Sequence, residues 1–235
     1  MMRKTTAFCL AACSLALGSA AHAADLRAPS YKAPAYEYQP VSVFSWTGFY
    51  IGANAGYGWS RGDGTIAFGG PSGSFSGSGD GFLGGVQAGY NWQTGPVVFG
   101  VETDFGGSTG KGNVTATAGA TTVTGDLKAP WGGTIRGRVG YAWDRWMVYV
   151  TGGAAYGKLT YEGTMSTTGA FSSSATYWTW TLGGGVEAAL WDRWSMKLEY
   201  LYGHTPDTFP APPGTTALDG NLHSNVVRAG LNYRF

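Results

Sequence analysis

Over most of the chain, apolar and polar residues alternate with a period of two. The pattern is clearest in the last thirteen residues, 223–235, where Phe235 and Leu231 share one face while Arg234 and Arg228 lie on the other. Because successive side chains of a strand point to opposite faces, this segment is predicted to be a two-faced β-strand. In a membrane barrel the apolar face would meet lipid, and the arginines would point into the lumen.

The same alternation predicts eight strands, at roughly residues 48–60, 82–93, 97–107, 131–143, 146–158, 176–191, 194–203 and 223–235. Tight turns at 93–96, 144–145 and 192–193 join three pairs of strands. The remaining connections are long and rich in Gly, Ser, Thr and Pro, so we expect loops there. The sequence therefore predicts an all-β fold, a membrane-spanning eight-stranded antiparallel up-and-down β-barrel with short periplasmic turns and long extracellular loops.

Charged residues within the predicted strands all fall on one face. They are Glu102, Asp104, Arg136, Arg138, Glu187, Lys197, Glu199, Arg228 and Arg234, accompanied by Asn54, Gln87, Asn91 and Asn232. A Lys or Arg that faces lipid at mid-bilayer costs about 2–4 kcal/mol in such barrels. We therefore predict that this face lines the lumen, where the five basic and four acidic groups pair as buried charges must.

Aromatic residues cluster at the strand ends. The motif Trp143-Asp144-Arg145-Trp146 recurs as Trp191-Asp192-Arg193-Trp194, although Asp and Arg are also ordinary turn residues. Indole rings beside short turns suit the membrane–water interface. The predicted periplasmic aromatic belt comprises Phe49, Trp92, Phe99, Trp143, Trp146, Trp191, Trp194, Tyr233 and Phe235. An outer belt is predicted at Trp59, Phe82, Phe105, Trp131, Tyr156, Trp178 and Tyr202.

The amino-terminal residues 1–23 have the charged start, apolar middle and small-residue end of a secretory signal peptide, with cleavage predicted between Ala23 and Ala24. A lipoprotein cleavage site at Cys13 is the competing interpretation, but it would leave a very short apolar stretch. Residues 24–47 contain three prolines and no strand alternation, which predicts a Pro/Tyr-rich periplasmic N-terminal tail before the barrel at 48–235.

Composition narrows the function classes. Only 12% of residues are charged, whereas 15% are aromatic and 40 are glycines, a combination that fits curled β-sheet and excludes disorder. Loss of the signal peptide leaves 13 basic and 14 acidic residues and no cysteine, so nucleic-acid binding and disulfides are not expected. No run of about 20 apolar residues predicts a transmembrane helix.

Several alternatives remain open at this stage. A soluble lipocalin-like barrel has the inverse arrangement of faces, which the alternation fits equally well; the terminal aromatic and the two belts favour the membrane. A His–Ser hydrolase at His204 and Ser224 is conceivable at the outer rim, but no enzyme is expected. No spacing predicts a metal or cofactor site.

Basic residues beyond the outer belt could meet lipopolysaccharide phosphates, or simply solubilise the loops. They are Arg61, Lys111, Lys128 and Lys158.

The opening Trp46-Thr47-Gly48-Phe49-Tyr50-Ile51-Gly52, the glycine-rich hairpins and the closing Asn232-Tyr233-Arg234-Phe235 resemble the small RopB-type, OmpA-like outer-membrane proteins of alphaproteobacteria. The resemblance covers essentially the whole chain. It implies a structural barrel of the cell outer membrane that supports envelope integrity, presents surface loops and has no catalytic residues. A small porin, or a loop-mediated ligand-binding or adhesin protein (for example for haem or a host surface), is the alternative.

Four kinds of partner are expected from this interpretation. They are outer-membrane lipid, lipopolysaccharide, host surface molecules and the barrel-assembly machinery, which would recognise Phe235.

Overall fold

The computed structural model describes residues 44–67, 72–166, 169–206 and 216–235. The predicted signal peptide, its Ala23–Ala24 cleavage site and residues 24–43 of the predicted tail lie outside this range. Most of the described residues belong to β-strands. In this part of the chain, no helix is long and apolar enough to span a membrane.

Nine strands are formed by hydrogen bonding within the described residues. They are β1 Gly48–Ala67, β2 Ser72–Thr94, β3 Val97–Ser108, β4 Lys111–Ala118, β5 Thr121–Trp143, β6 Trp146–Met165, β7 Gly169–Trp191, β8 Trp194–Pro206 and β9 Ala217–Arg234. Every pairing between them is antiparallel. Consecutive strands are neighbours almost throughout, as in an up-and-down sheet.

Strands β3 and β4 act as one interrupted strand, because both lie between β2 and β5. The interruption at Thr109 and Gly110 faces Pro130 of β5, where the pairing of β5 with β6 also shifts register. Proline has no N–H to donate to a ladder, which accounts for a break at this level. Counted as one strand, β3 and β4 reduce the nine strands to the eight that the alternation predicts for the barrel wall.

The sheet closes on itself, because β1 pairs with both β2 and β9. Tyr50 lies opposite Gly89 on one side and Arg234 on the other. Closure satisfies the backbone groups of both end strands, so neither leaves an open edge.

The two ends of the barrel differ. At the turn end, β5 is joined to β6 and β7 to β8 through Asp144 and Asp192, whose positive φ angles of 52° and 38° are tolerated by Asp in tight turns. At the opposite end, called the hairpin end below, the strands continue far past the predicted boundaries. The predicted long loops at residues 61–81, 108–130 and 159–175 are instead largely paired strand.

The loop prediction failed because Gly, Ser and Thr resemble loop composition. The period of two nevertheless persists there: in β2, Ser74 and Ser76 alternate with Gly73, Phe75 and Gly77. Small polar residues can occupy a strand when neighbouring strands supply every backbone partner and the inward apolar side chains pack together. The hairpin end is thus an extension of the barrel wall.

Candidate functional site in the barrel interior

The nine charged residues predicted to line the lumen are all buried and inward-facing. Glu102 lies at the centre of their hydrogen bonds and ion pairs. Its carboxylate accepts hydrogen bonds from Lys197 Nζ at 2.7 Å and from Arg136 Nη2 at 2.5 Å. The hydroxyl of Tyr50 donates a third, at 2.7 Å. One carboxylate therefore ties together β1, β3, β5 and β8.

Two more carboxylates extend this cluster toward the hairpin end. Glu199 accepts from Arg136 Nη1 at 3.0 Å and from Arg228 Nε at 2.8 Å. Asp104 accepts from Arg228 Nη2 at 3.0 Å and from the hydroxyl of Thr134. Each guanidinium is thus shared between carboxylates of different strands, and this sharing crosses the lumen.

A third group of contacts lies nearer the turn end. Glu187 accepts from Arg138 Nη1 at 3.1 Å, from the hydroxyl of Ser195 at 2.6 Å and from Asn232 Nδ2 at 3.0 Å. Arg138 also donates through Nε and Nη2 to Asn91 Oδ1, at 3.0 and 2.9 Å. Neutral polar side chains complete the hydrogen bonding of these charges, which a buried ion pair requires.

Arg234 departs from the expected pairing. Among the described residues it forms no ion pair; its Nη1 donates to the backbone oxygen of Ser45 at 2.8 Å, and its guanidinium lies over the rings of Phe44 and Trp46. The remaining four bases and four acids balance one another: Arg136, Arg138, Lys197 and Arg228 against Glu102, Asp104, Glu187 and Glu199. This balanced set is called the lumen network below.

Two tyrosines that the sequence analysis did not select belong to the lumen network. Tyr50 donates to Glu102, and Tyr149 donates to Glu199 at 2.9 Å. Both occupy inward positions of their strands, so the alternation of faces could have predicted that they point into the lumen. Each ring lies over a glycine of the next strand, Gly89 or Gly185, where a Cβ would collide with the phenol. Glycine on the inward face therefore makes room for the rings.

Residues Phe44–Thr47, predicted as part of the tail, pack into the turn end of the lumen. Trp46 is completely buried against Val98, Met147 and Tyr149. Its backbone N–H donates to Gln93 Oε1 at 2.7 Å, and Thr47 Oγ1 accepts from the N–H of Gln93 at 2.9 Å. This segment is called the N-terminal cap below; it covers the lumen network at the turn end.

At the hairpin end the interior is apolar. Six buried residues form a cluster there, with Phe75, Val114, Leu127 and Phe171 packed against it: Ile66, Ala116, Ala118, Val123, Tyr161 and Met165. A cavity of about 380 Å³ extends from the lumen network to this cluster, and residues of both line it. The cavity is called the chamber below.

Comparison with known proteins gives the family. A model of the outer membrane protein β-barrel domain matches residues 9–235. The chain belongs to this outer-membrane β-barrel family. It is 40% identical over 246 residues to the 31 kDa outer-membrane immunogenic protein of Brucella melitensis, covering 96% of this chain and 98% of that protein. It is 36% identical over 197 residues to the 22 kDa outer membrane protein of Rhizobium leguminosarum, covering 81% and 79%.

Among solved structures, neisserial surface protein A is similar over 80% of this chain and 98% of its own, at 17% identity and a TM-score of 0.45. The predicted alphaproteobacterial family, the membrane barrel and the outer-membrane location are confirmed by the family match and the curated relatives. In this family the turn end is periplasmic and the hairpin end is extracellular.

The outer-membrane barrel carries the aromatic residues of the predicted periplasmic belt on its outward face. Of the predicted periplasmic belt, Trp194 and Tyr233 are half-buried and the others are exposed: Phe49, Trp92, Phe99, Trp143, Trp146, Trp191 and Phe235. The rings of Tyr233 lie 5.2 Å from Trp194 and 5.4 Å from Phe235, and Phe235 lies 5.7 Å from Phe49. Adjacent strands therefore present a continuous aromatic surface at the periplasmic rim.

The proposed hydrolase pair is not assembled. His204 lies opposite His223 on the outward face, with their ring centroids 4.9 Å apart, whereas Ser224 lies opposite Gly203 with inward parity. His204 and Ser224 therefore belong to opposite faces of the wall. In the described part of the chain, no three His, Cys, Asp or Glu side chains are grouped so as to hold a metal ion.

The four basic residues considered for lipopolysaccharide contact differ in their surroundings. Lys128 donates to Glu162 at 2.7 Å, and this hydrogen bond together with the carboxylate charge raises the pKa of the lysine. Arg61 and Lys111 are exposed, and Lys158 is half-buried. Lys128 is thus already neutralised by a neighbour.

Proposed function

We propose that the protein is a structural, non-conducting and non-catalytic barrel that reinforces the outer membrane and presents its hairpin end to the surroundings. The observation that carries this proposal is the lumen network, in which four bases and four acids pair across the barrel axis. Eight strands leave an interior only wide enough for side chains, and here charged side chains fill it.

The N-terminal cap supports the same function. Trp46 is fully buried at the periplasmic mouth, where it covers the lumen network from the other side. A steady ion path would have to displace both the cap and several ion pairs. Removing one partner of a buried pair leaves an uncompensated charge, which costs about 3–5 kcal/mol. Ions are therefore kept out of the lumen in two ways. Side chains fill the space, and breaking the ion pairs costs free energy.

Planar-bilayer recording tests the proposal. The purified full-length protein should give no stable unit conductance, and Trp46→Ala should give none either, because the lumen network remains. Heat-modifiable mobility in SDS gels verifies that each preparation is folded. Large, reproducible channels from folded protein would overturn the structural function in favour of a small porin.

Envelope reinforcement requires a cellular test. A strain lacking the protein should be more sensitive to SDS and to large antibiotics, and the intact gene should restore resistance. A variant lacking hairpin residues 111–128 should also restore it, because the membrane-level wall and the lumen network are untouched. Restoration only by the intact protein would assign the effect to the hairpins and contradict this proposal.

Recognition by the barrel-assembly machinery is proposed for Phe235. Its side chain is 63% exposed at the periplasmic rim, and its backbone N–H donates to the oxygen of Phe49 at 3.0 Å. Deletion of Phe235 should reduce the folded, membrane-inserted fraction in cells. Phe49→Ala is the matched control, since it removes the neighbouring ring without altering the terminus. Equal assembly of the Phe235 deletion and the intact protein would exclude this role.

Contact with lipopolysaccharide phosphates is proposed for Arg61 and Lys111, which form no ion pair with another described residue. Arg61→Gln with Lys111→Gln should lower the amount of lipopolysaccharide that co-purifies, whereas Lys128→Gln should not, because Glu162 already neutralises Lys128. Unchanged recovery with the double variant would remove this contact. Host surface molecules remain further candidate partners of the same extracellular surface.

A further inference from the structure

The inward face changes character along each strand. In β9 it carries Arg228 near the lumen network and then Val226, Ser224 and Leu222 toward the extracellular tip. In β6 it carries Thr151 at the membrane level and then Leu159 and Tyr161. Above the lumen network the barrel is therefore lined mainly by apolar side chains and glycines, with a few serines and threonines among them.

The chamber occupies this apolar level. Its floor is formed by Asp104 and Arg228. These residues form an ion pair, with 3.0 Å between Arg228 Nη2 and Asp104 Oδ2. Leu201 and Leu159 belong to its wall, and Ile66 and Tyr161 to its outer part. Because the charges of the floor are already paired, they do not require a charged group from a ligand.

The chamber is elongated. Along β1 its lining extends from Asn54 to Ile66, twelve residue steps. At about 3.3 Å per step and a strand tilt of about 40°, this corresponds to about 30 Å along the barrel axis. A volume of about 380 Å³ distributed over such a length is a narrow slot, which is partly open to its surroundings. A linear chain fits a slot of this shape, whereas a broad ring system does not.

One residue that lines the chamber carries a buried polar atom without a partner among the described residues. The hydroxyl of Tyr161 is buried, the residue is only 4% exposed, and no described residue forms a hydrogen bond with this oxygen. A buried polar group without a partner is costly, so a ligand that supplies one gains affinity. Tyr161 lies near the extracellular end of the slot, far from the charged floor.

We propose that the chamber binds one linear single-chain amphiphile of the long-chain fatty acid class. The hydrocarbon chain lies along the slot with its methyl end toward the floor, and the polar head lies at the Tyr161 hydroxyl. Burial of the chain in this mainly apolar slot supplies the driving force, because methylenes that contact the wall are removed from water. The hydroxyl then sets the direction of binding.

Photolabelling with a long-chain fatty acid that carries a diazirine near its methyl end tests this site. The full-length protein is placed in lipid nanodiscs, and labelled residues are identified by peptide mass spectrometry. Chamber binding should label inward residues near the floor, such as Leu201 and Val226, and unlabelled fatty acid should compete. Label confined to outward residues such as Trp178 and Leu198 would show only lipid around the barrel and would overturn the proposal.

A pair of adjacent substitutions provides the matched control. Ala155 lies in the chamber wall, whereas Ala154 has outward parity between Ile135 and Trp180. Ala155→Trp should abolish inward labelling, and Ala154→Trp should preserve it. Equal inward labelling of the two folded variants would contradict the proposal.

A gentler substitution tests the head-group contact. Tyr161→Phe should weaken competition by the free fatty acid about three- to tenfold, because one hydrogen bond is lost, and should weaken competition by its methyl ester less, because an ester carbonyl is a weaker acceptor than a carboxylate. Unchanged competition by the free fatty acid would refute the assigned direction. Because none of these measurements depends on conductance, the chamber and the closed lumen can fail independently.

Discussion

The membrane level and the hairpin end are built from the same strands but have opposite polarity. At the membrane level Leu231 points outward and Arg228 inward, whereas at the hairpin end Ser76 points outward and Phe75 inward. The difference follows the solvent outside the wall, which is lipid in one region and water in the other. The outer region therefore has the arrangement expected of a soluble barrel, on top of a membrane barrel.

The energetic consequences of the two interiors also differ. The lumen network joins distant strands through charges that cannot be removed singly without leaving an unpaired ion. The apolar cluster at the hairpin end, which contains Ile66 and Val123, is held by packing and can open locally. We expect the membrane level to control global stability and the hairpin end to control local dynamics.

The largest effect is expected from Glu102→Ala. This change leaves Lys197 and Arg136 without their hub carboxylate and should reduce the free energy of unfolding by about 3–5 kcal/mol, measured by urea titration in micelles. Glu162→Ala removes an exposed carboxylate at the hairpin end and is the control, with little expected change. Similar losses in both variants would contradict the proposed difference between the two levels.

A smaller loss is expected from an arginine placed on the outward face at the membrane level. Leu231→Arg should destabilise the barrel by about 2–4 kcal/mol, because the side chain faces hydrocarbon. Ser76→Arg, also outward but at the hairpin end, should be tolerated because it faces water. Comparison of urea midpoints and heat-modifiable mobility measures the contrast, and equal tolerance of both changes would exclude it.

A local effect is expected from Ile66→Ala. Removing this buried side chain from the hairpin cluster should lower the local opening free energy by about 2 kcal/mol. Hydrogen exchange should increase in residues 60–67 and 72–80 while protection of β8 and the urea midpoint remain unchanged. Faster exchange spread over the whole barrel would show that the hairpin end is coupled to global unfolding.

The smallest effect is expected from Arg234→Gln. Arg234 stacks on Phe44 at 4.1 Å and is outside the lumen network, so its loss should cost about 1 kcal/mol and loosen the N-terminal cap. Proteolysis near Ser45 should become faster, whereas Arg228→Gln should mainly lower global stability. A large global loss in Arg234→Gln would place that residue in the network after all.

Much of the membrane level could be predicted from the period of two. Because parity is an intrinsic property of strands, the inward position of Glu199 and the outward position of Phe235 followed without a structure. The same parity would have identified Tyr50 and Tyr149, had it been applied to aromatic residues as well as to charges. Pairing partners were not predictable, because they depend on which strands face each other across the lumen.

The hairpin end was predicted as loops for a physical reason. Local composition at Ser74 or Thr115 favours loop, and only the neighbouring strands supply the hydrogen bonds that keep these residues extended. The burial of Trp46 was missed similarly, since the prolines before it suggested a free tail. In both places long-range contacts outweighed local preference.

By itself, the amino-acid sequence determined the eight-stranded barrel wall, its two faces and the set of charges inside. Each of these depends on strand parity and on the free-energy cost of placing a charged side chain in lipid. Only the tertiary structure decided that Arg234 contacts the N-terminal cap and not the lumen network. It also decided that the strands continue outward and form the wall of the chamber that Tyr161 lines. These features depend on distances between segments remote in the chain, which no local pattern encodes.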